Sequence, residues 1–203
     1  MASLIARKKE SVTVLRPSRL SVPRLIVTKR LYLRAIQDHD KALVKEALSD
    51  PRMYRHYGFR ITEPAQLIEQ MEWYRKLQQE GSGEWWVIRE RTSERPVGAL
   101  GLYDYAPHHL RAELGYWLLP AAQGKGYMQE ACQAILSFCF RELGMHKVTA
   151  YVEGGNEASV KLLVKMGFEQ EAQLVQEEWK DGQWIDVLIF GLINPDHNSL
   201  RKS

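Results

Sequence analysis

Gln123-Gly-Lys-Gly-Tyr-Met128 is the stretch of this 203-residue chain whose residue types dictate a binding chemistry. It follows an apolar, aromatic run beginning at Glu113, which reads as a buried strand. Pro120 ends that strand because proline has no N–H to donate to a ladder. After the loop, Met128, Ala131, Cys132, Ile135, Leu136, Cys139 and Leu143 recur on one face of an amphipathic helix. A strand feeding a glycine turn at a helix N-terminus makes an anion site. Glycine permits close backbone approach, unpaired N–H groups point outward, and the helix dipole favours negative charge. Two phosphate-binding patterns are excluded: no glycine-lysine-Ser/Thr follows at P-loop distance, and Gln129 stands where a dinucleotide fingerprint has its third glycine. Turns of this kind also merely cap helices, so the loop alone leaves its ligand open.

Two strand glutamates could take or give a proton as general base or acid. Glu113 leads into the strand before the loop, and Glu178 sits late in a strand that ends at Asp181-Gly182. Solvation or pairing with arginine is the other common fate of a strand glutamate. Tyr57, Trp73, Tyr103 and Trp179 are candidate walls of an acceptor cleft, with core or half-buried surface as the plain alternative. The six histidines are scattered, and no His, Cys and carboxylate cluster has metal-ligand spacing, so no metal is expected. Cys132 and Cys139 lie seven positions apart on the helix, ~10 Å along its axis, beyond disulfide reach. They read as small buried hydrophobes.

The elements around these residues follow from local signals. Residues 25–36 read as one strand, alternating from Arg30 to Arg34. Asp38 is placed to cap a helix running to about Ser49, before Pro51. Thr62 is placed to cap a second helix with Leu67, Ile68, Met71, Tyr74 and Leu77 as its apolar face and Gly81 as its end. A hairpin crosses Thr92–Arg95, and a second joins two long strands, about 168–180 and 183–192, at Asp181-Gly182. The order is strand, two helices, three strands, helix, strand, helix, two strands: an α/β fold.

Ala112-Glu-Leu-Gly-Tyr-Trp117, Gln123-Gly-Lys-Gly-Tyr127, Asn156-Glu-Ala-Ser159 and Asp181-Gly-Gln-Trp-Ile-Asp186 occur in the order found in the GCN5-related N-acetyltransferase (GNAT) superfamily. The set resembles the branch typified by the RimJ/RimL ribosomal-protein N-acetyltransferases, over about residues 24–193. The resemblance implies a mixed, mostly antiparallel seven-stranded sheet with helices on both faces and splayed central strands. It implies acetyl-CoA as co-substrate, with backbone donors near Leu118 and Leu119. Gln123, Gly124, Lys125, Gly126, Tyr127 and Met128 would hold the pyrophosphate, and Asn156 the pantetheine arm or a water. It also implies Glu178 as base and Ser159 as acid, with Glu113 matching the strand glutamate that serves as base elsewhere in the superfamily. Met128 departs from the motif's small residue, and Leu163 replaces the tyrosine that is the acid in many members. The expected acceptor is a primary amine, the N-terminal amine of a protein or peptide. The alternatives are a small amine (an antibiotic, polyamine or amino acid analogue) and a non-catalytic acyl-CoA-binding module.

The composition is that of a globular protein, 45% hydrophobic and 26% charged. No run approaches a membrane span and no secretory signal opens the chain, so a cytoplasmic protein with no membrane partner is expected. Residues 1–34 carry nine Lys/Arg against Glu10, while the whole chain has a net charge of +3. A basic arm over residues 1–23 is therefore expected before the domain at 24–193, with a tail at 194–203. The arm is suited to nucleic acid or a ribosome surface, or is simply solvated. A monomer and a homodimer are both compatible with the sequence.

Overall fold

Consecutive residues Trp85, Trp86, Val87 and Ile88 deliver their side chains alternately to two separate cores. A β-pleat has this period of two, so one sheet carries an apolar layer on each face. The computed structural model describes residues 19–58 and 60–196. Residues 1–18 of the expected arm and 197–203 of the expected tail lie outside the described residues. The chain runs β1 (Leu25–Val27), β2 (Leu31–Ala35), α1 (Lys41–Ser49), α2 (Pro51–Tyr54), α3 (Pro64–Glu80), β3 (Glu84–Glu90), β4 (Pro96–Ala106) and β5 (Arg111–Leu118). Then come α4 (Tyr127–Arg141), β6 (Lys147–Glu153), α5 (Glu157–Lys165), β7 (Glu169–Lys180) and β8 (Gln183–Ile193).

The sheet order is β1-β2-β3-β4-β5-β6-β8-β7. Among the described residues only β5 and β6 pair in parallel, and the other neighbours are antiparallel. On one face α4 and α5 pack over Trp86, Ile88, Leu100 and Leu114. On the other, α1 and α3 pack over Trp85, Val87, Ala99 and Trp117. The mixed, mostly antiparallel sheet with helices on both faces is as expected, but it has eight strands, not seven. The extra strand arises because residues 25–36 fold back at Thr28. The Thr28 N–H donates to the Leu31 carbonyl at 2.8 Å, and the Thr28 hydroxyl accepts the Leu31 N–H at 3.0 Å. A side-chain turn of this kind needs neither glycine nor proline.

Two helix starts also differ. A 3-10 turn, Asp38–Asp40, precedes α1, and the buried residue is Asp40, which accepts from Arg34 at 2.6 Å and from the Gln37 N–H at 2.9 Å. The N-cap of α3 is Glu63 rather than Thr62, because Gln66 reaches back to accept both the Glu63 and Thr62 N–H groups. Gly81 ends α3 in the left-handed conformation, φ 67°, as expected. Ile68 is 47% exposed and leaves the apolar face, whereas Leu67, Met71, Tyr74 and Leu77 are buried. The end of the basic arm is part of the folded unit: Leu20 is buried and its N–H donates to the Gly81 carbonyl at 2.7 Å.

Gly101 lies opposite Trp85 in the β3–β4 ladder, and a Cβ there would overlap the indole ring. Gly115 is the next strand's glycine in line, where a Cβ would meet Tyr103 at 2.9 Å and Trp85 at 3.2 Å. The indole therefore lies flat on backbone, which a side chain at either position would prevent. Gly101→Ala is expected to lower the free energy of unfolding by about 2–3 kcal/mol, the usual cost of overpacking a tight core. Urea melts of the two proteins measure it.

Candidate functional site

The last pair between β5 and β6 is Glu113 with Thr149. Beyond it β5 continues to Leu118 bonded to β4, and β6 continues to Glu153 bonded to β8. A wedge opens between them. Leu119 donates its N–H to the Val97 carbonyl at 2.9 Å, which fixes the phase of the β4–β5 ladder. Antiparallel pairs alternate, so the Trp117 and Gly115 amides face β4 while those of Leu118 and Tyr116 face the wedge. The Leu118 N–H is therefore unpaired by the ladder and open to the wedge. That of Leu119 is not, because it is already given to Val97. Tyr116, which sequence reasoning missed, takes its place.

Two chambers meet in the wedge. One, of about 350 Å³, follows the glycine loop and is lined by Leu118, Gln123, Gly124, Gly126, Tyr127 and Met128. The other, of about 330 Å³, runs behind Tyr116 toward Trp73, Trp85, Tyr103 and Glu178. His56, Tyr57, Tyr116, Asn156 and Ser159 line both.

Local geometry gives the first chamber the features of an anion site. Gly124 and Gly126 both have positive φ, 74° and 75°, and Gly126 is the N-cap of α4. Nothing lies within 4 Å of a Cβ built on Gly124. The first intrahelical bond runs from the Glu130 N–H to the Gly126 carbonyl at 3.2 Å, so the amides before Glu130 have no partner of that kind. Met128 does not crowd the loop: its side chain is 5% exposed and packs in the core under α4. Lys125 is exposed and does not line the chamber. From below, Arg30 braces the turn, donating to the Lys125 carbonyl at 3.0 Å and to Glu130 at 2.6 Å and lying 4.8 Å from the Tyr127 ring centroid. The Tyr127 hydroxyl in turn donates to Glu90. Free amides, open glycines and a long groove suit a pyrophosphate ester with an extended arm.

The second chamber is aromatic with few charges. Trp73 packs edge-on against Trp85 and Tyr103, and Trp85 stacks on Tyr103. Tyr57, Trp73 and Tyr103 form walls as expected. Trp179 does not; it is 62% exposed and packs on Trp184 on the opposite face of the hairpin. Glu178 lines the chamber. A Cβ built on Gly58 would lie 3.4 Å from both a Glu178 and a Glu153 carboxylate oxygen. Burial raises the Glu178 pKa, the negative charge of Glu153 adds to the rise, and Lys180 opposes it. Glu153 and Lys180 are a buried pair, with Lys180 donating to the two carboxylate oxygens at 2.8 and 2.6 Å. Glu113 is not a chamber wall. Its carboxylate accepts from the Tyr103 hydroxyl, and its pKa is raised by burial despite that bond.

Ser159 and Asn156 sit at the junction. Asn156 caps α5, its side-chain oxygen accepting the Ser159 N–H at 3.2 Å. That leaves the amide NH₂ to face the chambers. The Ser159 and Tyr116 hydroxyls are 2.6 Å apart. Leu163 is fully buried and has no proton to give. Cys132 and Cys139 are buried free thiols, with burial pushing Cys139 up to about 12. His56 is held below its usual pKa by burial, then by Arg55 and Lys180. Trp85, His56 and Glu153 were missed in the sequence; of these only Trp85 had a signal, the glycines facing it on the neighbouring strands.

The family model described as "Acetyltransferase (GNAT) domain" matches residues 30–169. The uncharacterized N-acetyltransferase YoaA of Bacillus subtilis (strain 168) is 33% identical over 172 residues, covering 84% of this chain and 97% of that protein. The [ribosomal protein uS5]-alanine N-acetyltransferase of Escherichia coli (strain K12) is 24% identical over 185 residues, covering 88% and 95%. The solved spermidine N-acetyltransferase from Vibrio cholerae, in complex with CoA and spermine, superposes with a TM-score of 0.74 at 23% identity, covering 82% of this chain and 97% of that one. The wedge, the glycine loop and these likenesses agree: the chain belongs to the GNAT acetyltransferases and is an acetyl-CoA-dependent N-acetyltransferase.

Proposed function

We propose that the acceptor is the α-amine of a protein or peptide N-terminus, as in the RimJ/RimL-like branch, and that Glu178 is its base. The observation carrying this reading is the charge of the aromatic chamber. Glu178 is its one carboxylate with no bonded cation or hydroxyl among the described residues, since Lys180 neutralises Glu153 and Glu113 lies behind Tyr103. One free carboxylate matches one ammonium; a polyamine brings several positive charges. The E. coli relative, named for a ribosomal-protein alanine, supports the same class. A spermine-bound Vibrio neighbour supports the second reading, a small-molecule amine.

Acetyl-CoA supplies an activated acetyl group as its thioester. The chain binds the anionic end with the amides of residues 124–128, the expected Gln123 N–H being already given to the Pro120 carbonyl at 3.3 Å, and offers the Tyr116 and Leu118 N–H groups to a carbonyl in the wedge. Glu178 takes the ammonium proton, directly or through water. Its raised pKa brings it nearer neutrality, where a base is most effective. Ser159, bonded to Tyr116, is the hydroxyl placed to donate toward the leaving sulfur.

Acetyl-CoA turnover measured in parallel against peptide N-termini and polyamines tests the acceptor. A preference for peptides of at least about tenfold in kcat/KM is expected, and a preference for spermidine or spermine reverses the assignment. An α-amine has a pKa of about 7.7–8.0, so it sheds much of its own proton near pH 8. Glu178→Gln is expected to lower kcat about 100-fold at pH 7, within the range for loss of a general base. Part of that loss should return by pH 9, while Glu113→Gln changes kcat by only a few-fold. Equal losses in the two variants would remove Glu178 from the role.

Gly126→Asp tests the loop. Aspartate tolerates positive φ better than most residues, and its Cβ would stand 3.5 Å from the Arg30 guanidinium, so the variant adds a negative charge at the loop and draws on the cation that braces it. Calorimetry should show CoA affinity reduced by about tenfold or more, with the melting temperature lowered by only the modest cost of a side chain at positive φ and the fold retained. Unaltered affinity would move the pyrophosphate elsewhere.

A further inference from the structure

The Asp181–Asp186 motif contributes a residue that neither chamber uses. Asp186 lies on β8 opposite an irregularity in β7. Leu174 pairs with Val187 and Glu178 pairs with Ile185, so Val175, Gln176 and Glu177 face Asp186 alone. A regular ladder continued from Leu174 would put Glu178 opposite Gln183. The two extra residues draw Glu178 back by two positions along β8, ~7 Å at the rise of a strand. An even number of extra residues preserves the face, so Glu178 still points to the side of Val187, which lines the acceptor chamber.

Such an excursion leaves backbone groups without a ladder partner. Gln176 also has φ 56°, the left-handed region that a side chain disfavours. Asp186 meets both demands. One carboxylate oxygen accepts the Gln176 N–H at 2.8 Å and the other accepts from the Gln173 side chain at 2.6 Å. These bonds hold the carboxylate below its usual pKa, so it is charged near neutral pH. The Asp186 carbonyl accepts the Gly154 N–H at 2.7 Å, fastening the same residue next to Glu153.

We infer that Asp186 is a positioning residue for the acceptor base: by clamping the bulge at Val175–Glu177 it sets how far along the hairpin Glu178 stands in the chamber. This rests on the reading of Glu178 as base.

A mutant cycle tests the inference. Asp186→Ala should lower kcat about 30-fold, a loss of the size expected from a misplacement of about 1 Å, with the acetyl-CoA dissociation constant unchanged. Gln173→Ala, at an exposed side chain, should lower kcat three- to tenfold by removing one of the two bonds. Asp186→Asn still offers an oxygen to the Gln176 N–H and should recover to within about threefold of the parent. In the Glu178→Gln background, neither Asp186→Ala nor Gln173→Ala should lower kcat further, because the group they position is gone. If Glu178→Gln is crippled and Asp186→Ala still costs its full factor on top, the clamp does not act through Glu178 and the inference fails. Weakened acetyl-CoA binding, or a loss in Asp186→Asn as large as in Asp186→Ala, would also overturn it. A near-normal Glu178→Gln would instead overturn the base assignment, and the inference with it. Should Asp186→Ala not fold, the Gln173→Ala cycle gives the same decision.

Discussion

Everything at the site depends on two parallel strands that stop pairing. After Glu113 and Thr149, β5 and β6 each keep a partner on the outer side only: β4 for one, β8 for the other. Closing the wedge would consume the Tyr116 and Leu118 amides in a ladder and leave no groove. Holding it open leaves backbone donors facing a cavity, which is unfavourable unless a ligand or water satisfies them. The strands cannot close because each is anchored at its far end. Leu119 is bonded to Val97, and Gly154, just past β6, is bonded to Asp186. The groove is therefore a property of the whole sheet, imposed by β4 and β8 from outside.

The two ends of the wedge have opposite electrostatic character. At the glycine loop, unpaired backbone N–H groups face the space, with Arg30 behind the turn. In the aromatic chamber, the charged groups are largely cancelled against one another before any ligand arrives. Glu153 and Lys180 form a buried pair, an arrangement that adds little net stability but becomes costly if either member is removed. Its value lies in what it leaves unpaired. With Lys180 committed to Glu153, the neighbouring Glu178 keeps an elevated proton affinity that a free ammonium beside it would have abolished.

Local signals carried much of the fold. Asp181-Gly182 marked its hairpin, Gly81 the end of α3, and the spacing from Met128 to Cys139 the buried face of α4. The glycine loop was legible because its chemistry is local. The Thr28 turn was not, since it is made by one hydroxyl within a run that otherwise alternates. The chamber was half legible. Tyr57, Trp73 and Tyr103 reach it from three different elements, and nothing in their spacing unites them. Trp179 could have been rejected from the outset: adjacent to Glu178 on a strand, it must face the other way. The β7 excursion has no glycine or proline to announce it, so the final position of Glu178 along the hairpin was invisible before the register was known.

Arg30 does more than add a positive charge near the loop. Glu130 sits in the first turn of α4, where its own carboxylate competes for the helix-end field that an incoming anion would use. Arg30 bonds that carboxylate and the Lys125 carbonyl together, with the Thr28 hydroxyl on the same carboxylate at 2.6 Å. The loop is thereby both relieved of a local repulsion and fixed in shape before the co-substrate arrives. With the loop as the proposed seat of the co-substrate's anionic end, little conformational entropy remains to be lost on binding, and that proposal makes the turn between β1 and β2 a determinant of co-substrate affinity.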